Sequence, residues 1–297
     1  MGAADTIRVA IVGSMMLLVF AVGLRSKPAD ALYLLRRPAL LARSVLAMNL
    51  IYPVLVGLLV AAFAFRPAVE IGLIGLSVSP ILPFLPRKQL TLTRNGQFTI
   101  GLFVATALLA PLLVTGTMLL IETLDIVERH VPAGRVAWIV TATVLLPLTA
   151  GLLVRRSWPR VAGRIQSATR IVAAAMLLAA LVPLLIVQGP SMWALLGDGT
   201  LLAIVVATLL GLAVGHAMGG PQPEDRSVLA LATAARHPAV AVAVGAASFP
   251  EQDLMPAAVL LAVLMSFLAS APYVAWRKRV YRELRAASRR ASLNRAH

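Results

Sequence analysis

The chain contains no cysteine among its 297 residues. Disulfides, thiolate metal sites and cysteine nucleophiles are therefore excluded, and the redox compartment has no marker in the sequence. Charged residues are also scarce: they make up 13% of the chain, and only 12 residues are acidic. In a typical soluble domain, about a quarter of the residues are charged. This composition therefore excludes an ordinary soluble protein.

Hydrophobic residues account for 60% of the chain and fall into long runs. A helical crossing takes about 20 residues, so the chain has room for about nine or ten crossings in one membrane domain. The runs predict nine transmembrane helices, at 7–24, 38–65, 69–86, 98–121, 136–154, 171–187, 201–216, 228–249 and 254–276. We interpret the first run as a retained span because no small-residue cleavage site follows it. The expected fold class is an all-α polytopic membrane protein.

Lysine and arginine give the chain a formal net charge of +15 and concentrate in alternate connections. Short loops rich in these residues lie on the cytoplasmic side of a membrane. The cationic connections are 25–37, 87–94, 155–164 and 277–297, whereas the acidic residues concentrate in the opposite set. This pattern predicts an inner-membrane protein with its N-terminus outside, and a basic cytoplasmic tail at 277–297. It also explains the charge without a nucleic-acid partner; the expected partners are the lipid bilayer and a small solute.

Two apolar stretches contain features that a plain helix does not tolerate. In 71–97, Pro80, Pro83 and Pro86 are followed directly by Arg87 and Lys88. Each proline lacks an amide donor and clashes with the preceding turn. Two interpretations remain open for this stretch: a broken transmembrane helix, or a short span over 69–85 that leads into a cytoplasmic loop.

The second stretch, 226–249, carries Arg236, His237 and Pro238 in the middle of an apolar run. An arginine at the centre of a bilayer costs at least about 2.5 kcal/mol, so it should face a cavity, a counter-charge or a ligand. Broken helices at corresponding positions of the two halves of a chain are typical of transport sites. The N-termini of the half-helices at such breaks carry partial positive charge and unpaired amide donors, which favour an anion. The sequence therefore predicts an anion site at the breaks.

Three stretches share a pattern with a known group of transporters. They are 16–53, which contains GLRSKPADALYLLRRP; 92–113; and 229–249, which reads LALATAARHPAVAVAVGAASF. Together they resemble the bile acid:sodium symporter family in its nine-helix form. The resemblance implies a core domain with two crossing broken helices, a panel domain and an inverted repeat. One transmembrane domain would then cover 1–276, with repeats at about 7–121 and 133–276. It also implies alternating access and organic anion substrates, from bile acids to smaller carboxylates.

The second crossover departs from the family pattern. Family members carry glutamate there, with glutamine four residues later and then asparagine, and these side chains coordinate sodium. This chain has Ala232, Arg236 and His237 at the corresponding positions. Sodium needs several hard oxygen ligands, and an arginine in their place adds repulsion. We therefore expect the cationic side chains to replace sodium electrostatically.

Other positions of the family's sodium and substrate sites are also altered. Met48 replaces a glutamine and is followed by Asn49, while Arg87 and Lys88 fall close to polar positions of the first crossover. Thr99 keeps one hydroxyl of the sodium shell. The candidate substrate-binding residues are Arg87, Lys88, Arg236, His237, Thr233, Asn49 and Thr99.

These features predict a secondary transporter of a small or amphipathic organic anion that is not coupled to sodium. His237 is the candidate for proton coupling because its unperturbed pKa lies near 6.5. The neighbouring arginine disfavours imidazolium, so uniport and anion exchange remain open. A sodium-coupled symporter and a transport-inactive ligand sensor are the alternatives. An enzyme is not expected, because the spans contain no acidic pair and no metal-ligand motif; no cofactor and no metal site are expected either.

Overall fold

The computed structural model describes residues 3–83, 96–124 and 132–294, and these form an all-α polytopic membrane protein. The described helices are α1 Ala3–Arg25, α2 Pro28–Leu35, α3 Pro38–Ala62, α4 Pro67–Val78, α5 Gly96–Thr123, α6 Ala133–Ser157, α7 Pro159–Ala194, α8 Thr200–Met218, α9 Pro223–Ala234, α10 Pro238–Ser248 and α11 Met255–Asn294. Within the described ranges, seven of them are long and apolar enough to cross a membrane, namely α1, α3, α5, α6, α7, α8 and α11. The expected all-α class is confirmed. The count of nine crossings stays a prediction.

Proline begins many of these helices. Pro38 opens α3, Pro67 opens α4, Pro159 opens α7, Pro223 opens α9 and Pro238 opens α10. The first helical position has no intrahelical partner for its amide, so a missing donor costs nothing there, and the fixed φ angle suits the helix. A proline inside a helix interrupts it, whereas a proline at the first position suits the start of a helix. Pro238 does both, because it follows the break and is the first residue of α10.

The helices pack closely where glycine permits it. Helix α1 lies against α6 and α7, and α8 lies against α9. A Cβ on Gly23 of α1 would stand 2.6 Å from the backbone oxygen of Leu148 in α6, which leaves no room for a side chain. Small residues at membrane helix contacts allow backbones to approach in this way. The division into core and panel domains and the inverted repeat stay predictions.

Helix α11 does not end at residue 276, where the sequence places the start of a basic tail. It continues to Asn294, and Arg277 is buried. The Arg277 guanidinium donates from Nε to Ser227 Oγ at 2.7 Å and from Nη2 to the Pro223 oxygen at 2.7 Å. Tyr281 also donates to the Pro223 oxygen, at 2.7 Å. The first residue of the expected tail is therefore part of the packed structure and holds the beginning of α9.

Candidate functional site

The two interrupted stretches meet each other inside the protein. Helix α4 ends at Val78 and α9 ends at Ala234, and the residues after both ends are extended. Ile81 and Arg236 pair as an isolated antiparallel bridge. The His237 amide donates to the Pro80 oxygen at 2.9 Å, and the Leu82 amide donates to the Ala235 oxygen at 3.4 Å. Backbone groups freed inside a membrane must find protein partners, and here each break supplies partners for the other.

A proline follows the end of each helix. In a continued helix, the ring of Pro238 would clash with the carbonyl of Ala234, where α9 ends, and Pro80 comes directly after the first extended residue that follows α4. Ser79 precedes Pro80 and has ψ 157°, and His237 precedes Pro238 and has ψ 103°. The ring of a proline disfavours the helical conformation of the residue before it, which shifts that residue to extended angles. Both breaks are thus local consequences of sequence. Residues 84–95 lie outside the described part, so whether the first stretch resumes as a helix stays a prediction.

A turn of π-helix at Ala47–Ile51, within α3, leaves two further carbonyls without a partner in the helix. The Tyr52 amide bonds back to the Ala47 oxygen instead of the Met48 oxygen, and the next residue, Pro53, has no amide hydrogen to offer. The oxygens of Met48 and Asn49 therefore need donors from elsewhere. Thr117 Oγ1 of α5 lies 2.8 Å from the Asn49 oxygen and 2.7 Å from the Leu113 oxygen of its own helix, so its one hydrogen is shared between these two acceptors.

Arg236 supplies the donor for the Met48 oxygen and ties three segments together. Its Nη2 donates to the Met48 oxygen, and its Nε donates to the Ser77 oxygen at 3.1 Å. Ser77 lies in the last turn of α4, where carbonyls have no helical partner and the helix dipole is negative. The guanidinium also faces the Tyr52 ring, 5.6 Å from its centroid. Main-chain oxygens and an aromatic face thus surround this cation.

One side of the Arg236 guanidinium remains free. The residue is only 3% exposed, and its Nη1 is buried without a hydrogen-bond partner. Among the described residues, no acid forms a salt bridge with Arg236. A buried charge normally has a partner, so the structure leaves one charged donor of Arg236 for a ligand.

A cavity of about 270 Å³ adjoins this guanidinium. Arg236 and Tyr52 form part of its wall, and α4, α8, α9 and α11 complete it. Most of the residues in the wall are apolar, and Thr208, Ser266 and Lys278 are polar or charged members of it. Ligand cavities commonly combine apolar walls with a few placed polar groups. The cavity thus fits a compact organic anion whose charged group reaches Arg236.

The other predicted site residues are placed differently. His237 is buried and caps α10, because its Nδ1 accepts from the Val240 amide at 3.4 Å, while its Nε2 is buried and has no partner. The Thr233 hydroxyl donates to the Leu229 oxygen at 2.8 Å. The side-chain Nδ2 of Asn49 donates to the Val45 oxygen at 3.4 Å. Thr99 Oγ1 is buried without a partner. None of these four lines the cavity beside Arg236.

Two of the predicted site residues fall outside the described ranges, and several residues around Arg236 were not predicted. Arg87 and Lys88 lie outside the described residues, so their part in binding stays a prediction. The sequence did not point to Tyr52, to the carbonyls of Met48 and Ser77, or to Lys278 as a cavity residue. For the carbonyls one signal was present: Pro53 inside an apolar helix implies unpaired oxygens one turn earlier.

Removing the Thr117 hydroxyl tests the pairing of the carbonyl freed by Pro53. We expect Thr117→Val, which keeps the shape of the side chain, to lower the free energy of unfolding by about 1 kcal/mol, because the Asn49 oxygen then loses its donor. Thr115→Val is the matched control, since Thr115 Oγ1 is buried and has no partner. Thermal unfolding in detergent compares the two variants. A control that is destabilised as much as Thr117→Val would contradict the expectation.

The chain matches a family model over more than half of its length. The model described as the sodium bile acid symporter family matches residues 12–195, which include α3 with its turn of π-helix and α4 with the first break. The segment with Arg236 follows the matched range. None of the curated proteins compared with the chain matches it.

Proposed function

Because the chain belongs to the sodium bile acid symporter family, we propose that it is a secondary transporter of a small or amphipathic organic anion, working by alternating access without sodium coupling. On this proposal the protein is not an enzyme and resides in the inner membrane, with its N-terminus outside and its C-terminus in the cytoplasm. The observation that carries the proposal is the buried Arg236 beside the cavity. Its Nη1 is the charged donor to which the anion binds.

The surroundings of Arg236 support the absence of sodium coupling. The oxygens of Met48 and Ser77, at a turn of π-helix and at the end of α4, form an environment that favours a positive charge. The guanidinium already supplies that charge. A sodium ion about 4 Å away would meet a repulsion of about 4 kcal/mol at an effective dielectric constant of about 20. The fixed cation therefore takes over the electrostatic role of a transported one and also excludes it.

The position of His237 supports uniport or anion exchange over proton symport. Its Nδ1 is the acceptor for the Val240 amide at the start of α10. A proton on Nδ1 would remove this acceptor and would add a second positive charge next to Arg236. Both effects oppose protonation during a transport cycle. On this proposal the imidazole stays neutral and serves mainly to cap α10.

Sodium dependence is the direct test of the proposal. We expect proteoliposomes to take up radiolabelled carboxylates or taurocholate equally well with sodium or with choline as the external cation. Counterflow driven by internal anion should be equally indifferent to sodium. Uptake that rises severalfold with sodium would indicate the sodium-coupled alternative. Saturable binding of an anion without flux in either direction would indicate a ligand sensor instead.

A further inference from the structure

The cavity beside Arg236 contains a second cation. Lys278 of α11 belongs to its wall, on the same stripe of α11 as Ser266 and Ser270. Helix residues three or four apart share a face, so this stripe forms one continuous side of the cavity. Lys278 is exposed at its outer surface, whereas Arg236 is buried. The cavity therefore has a deep cationic end and a shallow cationic end.

The spacing of the two cations follows from the packing of α8 and α11. The two helices run side by side in the same direction, since Thr208 bonds to Ser266 at 2.9 Å and His216 bonds to Tyr273 at 2.7 Å. Gly211, between the two contacts, lies against Ala234, just before Arg236. The contacts of Gly215 with Ala230 and of Gly211 with Ala234 show that α9 runs antiparallel to α8, so Arg236 is level with about residue 267 of α11. The backbone of Lys278 is roughly 11 residues further along, or about 17 Å at the rise of an α-helix.

The wall between the two cations is mainly apolar. Ala271, Val274 and Ala275 of α11 contribute to it. A flexible lysine side chain can extend along such a surface and place its ammonium group at the cavity mouth. A ligand that satisfies both ends needs two anionic groups joined by an apolar chain several ångströms long. A ligand with one anionic group leaves Lys278 unused.

We propose that the preferred ligand class is an α,ω-dicarboxylate, with one carboxylate on Arg236 Nη1 and the other on Lys278 Nζ. This inference rests on the proposed function, since it uses the same cavity and the same guanidinium. It adds a dianionic ligand class and assigns Lys278 as the residue that selects it. The shallow, hydrated pair contributes modestly, because exposed ion pairs are weak, while the deep pair carries most of the affinity.

Suberate and octanoate are suitable probes, because they have the same number of carbons and differ in the second carboxylate. Dissociation constants are measured by isothermal titration calorimetry on the purified full chain in detergent. We expect Lys278→Met to weaken suberate binding about threefold, the size of an exposed ion pair, and to leave octanoate binding unchanged. Arg279→Gln is the matched control, because Arg279 is exposed next to Lys278 but does not line the cavity. It should bind both probes as the wild type does.

Each outcome separates this inference from the proposed function. Suberate binding that survives Lys278→Met unchanged overturns the dicarboxylate assignment, and so does an equal loss for both probes. The same conclusion follows if succinate, suberate and sebacate all fail to bind. If monocarboxylates still bind and depend on Arg236, the proposed anion site stands without the dicarboxylate preference. If binding of both probes is indifferent to Arg236→Gln, the proposed anion site itself is wrong.

Discussion

Arg236→Gln is expected to abolish anion binding and transport. The variant loses the one buried charged group among the described residues of the cavity wall. Removing one partner of a buried, hydrogen-bonded charge pair typically costs about 2–5 kcal/mol, which corresponds to a loss of affinity of about thirtyfold or more. Glutamine still offers one amide group, so one of the two carbonyls on Met48 and Ser77 keeps a donor. We therefore expect the variant to fold.

The control for this substitution lies on the same chain, far from the cavity. Arg290→Gln removes an equal charge near the end of α11 and should leave binding and transport unchanged. Binding is measured as the shift of the unfolding temperature with added anion, and transport as counterflow in proteoliposomes. Binding by Arg236→Gln that matches that of the wild type would refute the anion site.

Chemical rescue separates the two tasks of the guanidinium. Arg236→Ala leaves the Met48 and Ser77 oxygens without their donor and opens a space beside Tyr52. We expect added methylguanidinium to restore part of the stability and part of the anion binding, since it can donate to the same carbonyls. Sodium at the same concentration should restore less, because it lacks directed donors. Rescue of stability without rescue of binding would assign Arg236 to the breaks alone.

Gly215→Ala is expected to cause the largest loss of stability among conservative substitutions in α8. A Cβ at this position would stand 2.5 Å from the Ala230 Cα and 2.5 Å from the Leu229 oxygen, both in α9. Backbone atoms cannot move aside as a side chain can, so α9 must shift. Overpacking of this kind typically costs 1–3 kcal/mol. Because α9 leads directly to Arg236, we also expect weaker anion binding.

Gly116→Ala in α5 is the matched control, since nothing lies within 4 Å of a Cβ at that position. Alanine is favoured over glycine within a helix by about 1 kcal/mol, so the control should be as stable as the wild type or slightly more stable. Thermal unfolding in detergent measures both variants. Equal stability of Gly215→Ala and the wild type would mean that α8 and α9 are not in backbone contact.

The positions of the breaks were predictable from sequence, because prolines act on the residues beside them. Ser79 and His237 are extended since each precedes a proline. The close approach at Gly211 and Gly215 was equally predictable, because glycine is the residue that lets membrane helices meet. The charge of Arg236 in an apolar run also predicted a partner for it. These are local properties of the chain, and local properties can be read from the amino-acid sequence.

The partners of Arg236 were not predictable, because they depend on how distant segments meet. Its oxygens come from residues 159 and 188 positions earlier in the chain. Every residue has a backbone oxygen, so nothing in the sequence distinguishes Met48 or Ser77 as a ligand. The sequence places Lys278 in a basic tail because this residue follows an apolar run and lies within a cluster of positive charges. Its place in the cavity wall depends on α11 continuing past that cluster.

The use of main-chain oxygens around Arg236 has a consequence for how such a protein can diversify. Carbonyl groups do not change when side chains mutate. The two hydrogen bonds that hold the Arg236 guanidinium therefore persist through most substitutions at Met48 and Ser77. Neighbouring side chains can then vary and reshape the cavity for new solutes. The Arg236 guanidinium keeps its position in these variants. Substitutions in the cavity wall can therefore change its shape and polarity without changing the position of the Arg236 guanidinium.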